Sequence, residues 1–298
     1  MTRKMHVVAA LMCTIAFQFS ATLAFAGDND LVLSRFATFD PKPAPGTSCE
    51  NACGTVVPNE DLFNSLLLDL GQVFGPRFIG PADTLGQAGF AVVMMTSLSG
   101  IPHQEQHWSD GVENGNPSSQ LFTSHLQIRK GLPFSFEVAG NLAYMFASEM
   151  FTMGADVKWA LNEGFYYFPD VAVRGSLNTL MGASDMNMVT TGWDVSMSKG
   201  FDISGVMALT PYVGYQQLFI IGSSRLLNAY PQDPRPPQYD PDNPGRTFSP
   251  EFVFGQRTLS ANRFFLGSRL NVWILSFTLE AIFGETVNQF TFAGGVDF

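Results

Sequence analysis

The chain has 298 residues and a formal net charge of −10, from 26 acidic and 16 basic side chains. Only 14% of its residues are charged, against about 25% in an ordinary soluble domain. The acidic balance argues against nucleic acid as a partner. Beyond residue 26, no uncharged apolar run reaches the roughly 20 residues that a membrane-spanning helix needs.

The first 26 residues have the order of a secretory signal peptide. Arg3 and Lys4 precede an apolar stretch over residues 7–25, which ends in small residues at a typical cleavage position. We therefore expect cleavage after Ala26, with a retained membrane anchor as the alternative. Loss of Arg3 and Lys4 leaves 14 basic against 26 acidic side chains, a net charge of −12.

Residues 27–87 form the next region, which we interpret as an N-terminal plug or periplasmic segment. Cys49 and Cys53 are its only cysteines, and an oxidising exported location favours a local disulfide between them. Two cysteines alone do not complete a zinc shell, so a metal site is the weaker alternative. Residues 31–39 also have the composition of a strand, which leaves a twelve-stranded barrel open.

A helix is predicted over residues 60–74. Asn59 is a suitable N-cap, the acidic Glu60 and Asp61 follow it, and Gly75 with Pro76 ends the pattern. The apolar stripe between these signals needs to be covered. We expect this helix to pack in a barrel mouth as a plug; the alternatives are a position on the inner membrane interface or a role in binding an apolar ligand.

Residues 88–298 consist of segments in which apolar and small or polar side chains alternate. Such alternation predicts strands with one apolar and one polar face, and the lengths suit strands that cross a bilayer. We predict an all-β membrane protein, an antiparallel up-and-down barrel of about ten strands (ten to twelve). The ten segments are 88–100, 119–132, 134–146, 149–162, 169–181, 187–199, 206–221, 257–272, 274–284 and 288–298.

The alternative fold is a soluble β-sandwich, whose outer face should be rich in Lys and Glu. The polar faces here are small and glycine-rich instead, which favours the barrel.

The connections between these segments alternate in length. If the C-terminus is periplasmic, residues 101–118 and 222–256 are long outer loops and most inner turns are short, as in bacterial outer-membrane barrels. The loop over residues 222–256 is rich in proline and aspartate, which predicts an extended arm. Long loops of this kind often carry function.

Ten charged residues fall on the polar faces of these strands and are predicted to line the lumen. Five cations oppose five anions, so an internal salt-bridge network is one interpretation and a selective conduit the other. A ten-stranded lumen is expected to be narrow. The residues are Arg129, Lys158, Arg174, Arg263 and Arg269, with Glu137, Asp156, Asp194, Glu280 and Asp297.

Catalysis has little support in the sequence. His103 and His107 are four residues apart, but the neighbouring Pro102 predicts a solvated loop rather than a helical metal motif. His125 is predicted to face the lumen without a clear Asp/His constellation. We therefore expect no enzyme, with an outer-membrane hydrolase as a remote alternative, and no catalytic residues, metal or cofactor.

With its signal peptide and alternating strands, the chain resembles the outer-membrane β-barrel proteins of Gram-negative bacteria. This resemblance implies an outer-membrane location, contact with lipid and lipopolysaccharide, and recognition by the barrel-assembly machinery. The terminal strand would supply the assembly signal through Phe290, Phe292, Val296 and Phe298.

The stretch over residues 81–89 is loosely similar to the hatch-to-barrel junction of the long-chain fatty-acid transporter family. That resemblance implies an N-terminal hatch and fourteen strands. The predicted helix beside a narrow polar lumen adds a small hydrophobic ligand as a candidate partner. The sequence thus favours a porin-like transport barrel that passes or binds small compounds through a narrow, plugged lumen. The alternative is a structural or adhesive barrel that acts through its outer loops.

Overall fold

A computed structural model describes residues 29–40, 55–77, 79–229 and 251–298 of the chain. The predicted cleavage site at Ala26, the cysteines Cys49 and Cys53, and most of the proline-rich loop lie outside these residues. No helix among the described residues is both long enough and apolar enough to cross a membrane.

The predicted helix is present and is called α1 (Glu60–Val73). The Asn59 side chain accepts a hydrogen bond from the Leu62 amide at 3.2 Å, which caps the first turn. At the other end, the Phe74 amide still donates to the Leu70 carbonyl at 2.8 Å. The helix therefore ends at Val73, one residue earlier than predicted, and Phe74 is its C-cap before Gly75 and Pro76.

All ten predicted strands are present, and they form one antiparallel sheet in sequential order. The last strand pairs with the first, so the sheet closes into a barrel. Each strand begins and ends within about three residues of its predicted bounds. The strands are β1 (Phe90–Gly100), β2 (Gln120–Leu132), β3 (Phe136–Met145), β4 (Phe151–Asn162), β5 (Asp170–Met181), β6 (Met186–Ser198), β7 (Met207–Ser224), β8 (Arg257–Val272), β9 (Leu275–Phe283) and β10 (Asn288–Asp297).

The closure at ten strands corrects two expectations. The looser resemblance to the fatty-acid transporters implied fourteen strands. Residues 31–39 were a candidate for extra barrel strands, but they form a short 3-10 helix (Leu33–Phe36) followed by a strand (Ala37–Asp40). That strand pairs with Thr55–Pro58 in a separate two-stranded sheet, so it adds nothing to the barrel.

The faces of the strands alternate as the sequence predicts. In β3, for example, Phe136, Leu142 and Tyr144 are exposed, whereas Glu137 and Asn141 are buried. In a closed barrel the buried side of each strand is the interior. The polar faces therefore point inward and the apolar faces outward.

The two ends of the barrel differ. One end carries the turns over residues 133–135, 163–169 and 273–274, and we call it the short-turn end. It also carries the connection over residues 199–206, in which a short strand (Phe201–Ser204) pairs with the start of β7. The other carries both long connections, including residues 101–119, and we call it the long-loop end. Helix α2 (Gln106–Gly111) lies within the first long connection, where the sequence had predicted an irregular loop.

The N-terminal region lies at the long-loop end. The Asn29 amide donates to the Ala147 carbonyl at 3.1 Å, and Leu31 forms a β-bridge with Val112. The Leu33 amide donates to Asp185 Oδ2 at 2.9 Å. These partners belong to three different connections at this end of the barrel.

Residues 75–77 and 79–89 connect α1 to the start of β1, and we call them the inner segment. The segment contacts inward-facing side chains of several strands, from Arg263 of β8 to Glu137 of β3. It leaves the interior at the short-turn end, where the Gly131 amide donates to the Gly89 carbonyl at 3.0 Å. A Cβ atom on Gly131 would lie 1.9 Å from the Gly86 carbonyl oxygen, so only glycine allows this close approach of the two backbones.

Candidate functional site

The barrel interior is the candidate functional site, and its layer nearest the long-loop end is apolar. Leu66, Leu67 and Leu70 of α1 are fully buried against Leu218 and Ile220 of β7. The layer continues into the strand ends and connections around the helix, as in the core of a soluble domain. Its further members include Phe63, Val73, Trp108, Leu121, Met145, Met150, Met186, Met188, Phe254 and Val287.

Two glycines let α1 approach β7 closely. A Cβ atom on Gly71 would lie 2.4 Å from Ile220 Cδ1, and one on Gly222 would lie 2.3 Å from Leu67 Cδ1. Both distances are far below a van der Waals contact. The helix and the strand therefore each have a glycine where a side chain of the other packs.

The carboxyl end of α1 is held by side chains of the barrel. Arg263 donates to the carbonyls of Gln72 and Pro76, both at 2.9 Å. Gln289 donates to the Gln72 carbonyl at 2.8 Å, and Asn178 donates to that of Phe74 at 3.2 Å. Terminal carbonyls of a helix need such donors, and positive charge is favourable there.

A buried carboxylate ties the middle of α1 to the long-loop end. Asp69 Oδ2 lies 2.8 Å from His107 Nε2 and accepts a hydrogen bond from Trp108 Nε1 at 2.8 Å. Its other oxygen accepts a hydrogen bond from the Thr286 hydroxyl. Asp69 therefore joins the helix to the first long loop and to the turn between β9 and β10.

The positions of the histidines correct one expectation and confirm another. His107 is buried on α2 rather than solvated in a loop, and Asp69 is its partner. His125 faces the interior, where its Nε2 lies 3.0 Å from Thr123 Oγ1 and 3.3 Å from Arg77 Nη1. Among the described residues, no three His, Cys, Asp or Glu side chains are grouped as a metal site.

Towards the short-turn end the interior becomes charged. Glu137 accepts hydrogen bonds from Arg129 Nε at 2.9 Å and from the Leu85 amide at 3.1 Å, and Lys158 Nζ lies 3.3 Å away. Lys158 also donates to the main-chain carbonyls of Pro81 and Asp83, at 3.2 and 2.7 Å. The three charged side chains thus form one buried cluster around the inner segment.

The other charged residues predicted for the lumen occupy the same half of the interior. Arg174 lies 3.3 Å from Asp194, and Arg269 lies 2.9 Å from Asp83. Glu280 accepts a hydrogen bond from Tyr212 at 2.7 Å. Asp156 is buried, whereas Asp297 is only half-buried and accepts a hydrogen bond from Ser276 at 3.2 Å.

Sequence reasoning missed the inner segment's own contribution to the interior. Arg77 is fully buried, yet no alternating pattern surrounds it, so it was assigned to no face. Asp83 and Glu163 also contact the site: Glu163 accepts hydrogen bonds from the amide and hydroxyl of Thr84, at 2.8 and 2.9 Å. Charged residues directly before the first strand were the only available signal.

Several buried polar atoms in this interior have no protein partner. They include Thr152 Oγ1, Asp156 Oδ2, Asn178 Oδ1 and Ser196 Oγ. Buried polar atoms of this kind are usually satisfied by ordered water. The interior is therefore a charged, polar space whose unpaired buried atoms are suited to bind ordered water.

No family model matches the sequence, and no curated protein matches it. The KdgM porin aligns over 70% of this chain and 99% of its own, with 7% identity and a TM-score of 0.32. Ail, the attachment invasion locus protein of Yersinia pestis, aligns over 71% and 99%, with 10% identity and a TM-score of 0.27. The outer-membrane protein Omp33 of Acinetobacter baumannii aligns over 71% and 99%, with 10% identity and a TM-score of 0.30.

These neighbours are Gram-negative outer-membrane β-barrels, the general class that the sequence resembles. They include a porin and an attachment invasion locus protein. The superpositions are loose at these TM-scores, so the architecture is defined by the chain's own strand pairing.

Proposed function

We propose that this chain is an integral outer-membrane β-barrel that is closed to diffusion and acts through a binding surface at its long-loop end. The outward faces support the membrane location, because they expose more large apolar side chains than a water-facing surface tolerates. Leu279 is 64% exposed and Trp159 is 47% exposed. Others are Phe122, Ile128, Leu142, Met153, Val157, Leu177, Trp193, Val213, Phe264, Leu266, Phe277, Phe290 and Phe292.

Aromatic side chains near both ends of the barrel support the same location. Phe136 and Trp159 stack at 5.6 Å near the short-turn end, and Tyr144 packs edge-on against Phe146 at 5.8 Å near the long-loop end. Amphipathic aromatic rings are favoured at both interfaces of a bilayer. Two belts of aromatic residues around the barrel would mark the boundaries of the hydrocarbon region.

The packing of α1 carries the proposal that the lumen is closed. Six apolar side chains of the helix and its end are buried to 2% exposure or less: Phe63, Leu66, Leu67, Leu70, Val73 and Phe74. Burying each one contributes about 1.5–3 kcal/mol. Their sum rivals the roughly 5–15 kcal/mol that stabilises a whole domain, so this plug is a permanent part of the fold rather than a gate.

The surface that remains for function is the long-loop end, which we call the outer cap. Among its described residues, ten acidic side chains are exposed or half-buried, against three arginines. The acidic residues are Asp30, Glu60, Asp61, Glu105, Asp110, Glu113, Glu149, Asp185, Glu251 and Glu285; the arginines are Arg35, Arg225 and Arg257. This balance favours a positively charged partner.

Two measurements test the proposal. The purified full chain should give no steady channel current in planar bilayers and should resist carbonate extraction from membranes. It should also bind a basic probe such as octalysine, and this binding should weaken with salt and in the triple variant E105Q/E113Q/E149Q. A steady open current, or octalysine affinity unchanged in that variant, contradicts the proposal.

One observation favours a second function, the passage of small polar compounds. The interior near the short-turn end contains charged groups and buried polar atoms without protein partners, so water can occupy part of it. Transient release of the inner segment would join this hydrated space to the outside. Brief, solute-dependent current openings by the full chain would support this function.

A further inference from the structure

The inner segment runs through the barrel interior from the end of α1 to the short-turn end. It begins after Phe74, which is buried with the apolar layer near the long-loop end. It ends at the short-turn end, where Lys130 Nζ donates to the carbonyls of Ala88 and Gly89 at 3.1 and 3.2 Å. Residues 75–89 number fifteen, and an extended chain of that length reaches about 50 Å, more than the roughly 30 Å hydrocarbon core of a bilayer.

The barrel holds this segment mostly by its main chain. Ser198 accepts a hydrogen bond from the Ala82 amide at 3.0 Å, and Glu137 accepts one from the Leu85 amide at 3.1 Å. Lys158 and Arg263 each donate to two main-chain carbonyls of the segment or the end of α1. These four side chains come from four different strands, so the segment is enclosed and not laid against one wall.

This pattern of contacts explains the charged residues of the lumen better than either interpretation from the sequence. A network that only paired its own charges would not direct Lys158 and Glu137 at main-chain atoms. An open conduit would leave the same groups facing water. Groups arranged to bind a polypeptide backbone instead keep an extended chain in place.

We propose that the N-terminal region passes through its own barrel. In this arrangement the inner segment crosses the membrane within the lumen before the first strand. The chain therefore crosses the membrane eleven times, once in the lumen and ten times as barrel strands. Because eleven is odd, the region before α1 lies on the side of the membrane opposite to the C-terminus. The proposal rests on the proposed membrane location. It implies that the long loops and the N-terminal region together form the outer cap.

The consequence concerns the partner of the outer cap. Thr38 and the two-stranded sheet around it are displayed beside the long loops rather than retained in the periplasm. The acidic binding surface therefore includes Asp30, Glu60 and Asp61 from the N-terminal region. A positively charged partner outside the cell would contact this region and the first long loop together.

Single cysteines test the two sides of the membrane. The native cysteines are replaced by serine, and Thr38→Cys, Ser184→Cys and Tyr167→Cys are introduced separately at exposed positions. A maleimide that cannot cross membranes is added to intact and to permeabilised cells. We expect T38C and the long-loop control S184C to react in intact cells, and the short-turn control Y167C to react only after permeabilisation.

The other outcomes are equally informative. If T38C behaves like Y167C and unlike S184C, whether the two react together or are protected together, the eleventh crossing is overturned. If the two controls react alike in intact cells, the proposed membrane location itself fails. If T38C and S184C are both protected and Y167C reacts, the barrel is inserted the other way round and the crossing still stands.

A cross-link tests the path inside the lumen without membranes. The Ala82 amide lies 3.0 Å from Ser198 Oγ, so the variant A82C/S198C should form an internal disulfide when the full chain is oxidised. The matched variant A82C/S224C pairs the same residue with the far end of β7 and should form none. Cross-linking of A82C/S224C, or none in A82C/S198C, overturns the proposal.

Discussion

Arg263 is fully buried and donates to the Pro76 carbonyl at 2.9 Å, so a barrel strand binds the inner segment directly after the end of α1. The same guanidinium also bonds the Gln72 carbonyl and the Gln216 side chain. One side chain of β8 thus links the helix, the segment and the neighbouring strand.

Replacement of Arg263 by methionine should therefore destabilise the packing of α1 and the inner segment more than the barrel. Hydrogen bonds to charged groups contribute about 1.5–3 kcal/mol each, and R263M removes those to two buried carbonyls. We expect a lower temperature for loss of the folded gel band and current fluctuations in planar bilayers. The exposed Arg225→Met is the control. Equal effects of the two variants would argue against a role for Arg263 in holding α1 and the inner segment.

Glu137→Gln tests the charged cluster near the short-turn end. The amide keeps the shape of the carboxylate but leaves Arg129 and Lys158 without their buried counter-charge. Breaking a buried ion pair from one side typically costs about 3–5 kcal/mol. Urea denaturation should show a loss of this size in the free energy of unfolding for E137Q and almost none for the exposed Glu105→Gln. Equal denaturation midpoints of the two variants would contradict a buried ion-pair cluster around Glu137.

Gly71→Ala separates helix propensity from packing. In an isolated helix, alanine is favoured over glycine by about 1 kcal/mol. Here the new methyl group would lie 2.4 Å from Ile220 Cδ1, and overpacking of this kind typically costs about 1–3 kcal/mol. We expect G71A to lower the thermal midpoint, and the half-buried Ser65→Ala to raise it slightly, because alanine is favoured over serine in a helix. A midpoint raised by G71A would mean that α1 does not pack closely on β7.

The ten strands were predictable because a strand in a barrel repeats one physical requirement at every second residue. Glu137 and Asn141 alternate with apolar neighbours over the length of β3, and the same signal recurs in the other strands. Helix α1 was predictable for a similar reason: Asn59 caps it and Gly75 ends it, so both signals are local.

The inner segment could not be predicted in this way. It is held through carbonyls and amides, such as those of Pro81 and Ala82, and every residue type carries these groups. The side-chain partners of Arg77 are close in space but lie 22 to 48 residues away in the chain. A local sequence pattern does not predict contacts between residues so far apart in the chain. The path of the segment through the barrel is therefore visible only in the structure.

Asp69→Ala tests the attachment of α1 to the long-loop end. The change removes the acceptor of the Trp108 and Thr286 hydrogen bonds and the partner of His107. Each buried group left without a partner costs about 1–3 kcal/mol. We expect D69A to lose about 3 kcal/mol or more in thermal or urea unfolding and to make the first long loop sensitive to protease. Asp110→Ala, which removes only an exposed hydrogen bond with Gln106, should do neither; equal protease sensitivity of the two variants would contradict this role for Asp69.

The terminal phenylalanine has a role in barrel closure that can be separated from its proposed role as an assembly signal. In the structure the amides and carbonyls of Phe298 and Phe90 exchange hydrogen bonds at 2.7 and 3.0 Å, which adds a final pair to the closure of the barrel. These bonds use the main chain, so Phe298→Ala should retain them and should fold in detergent almost as well as the unchanged chain. If Phe298 is also the proposed assembly signal, F298A should yield clearly less folded protein in cells. The equally exposed Phe264→Ala should not lower this yield, and equal yields of the two variants in cells would remove Phe298 from the proposed signal.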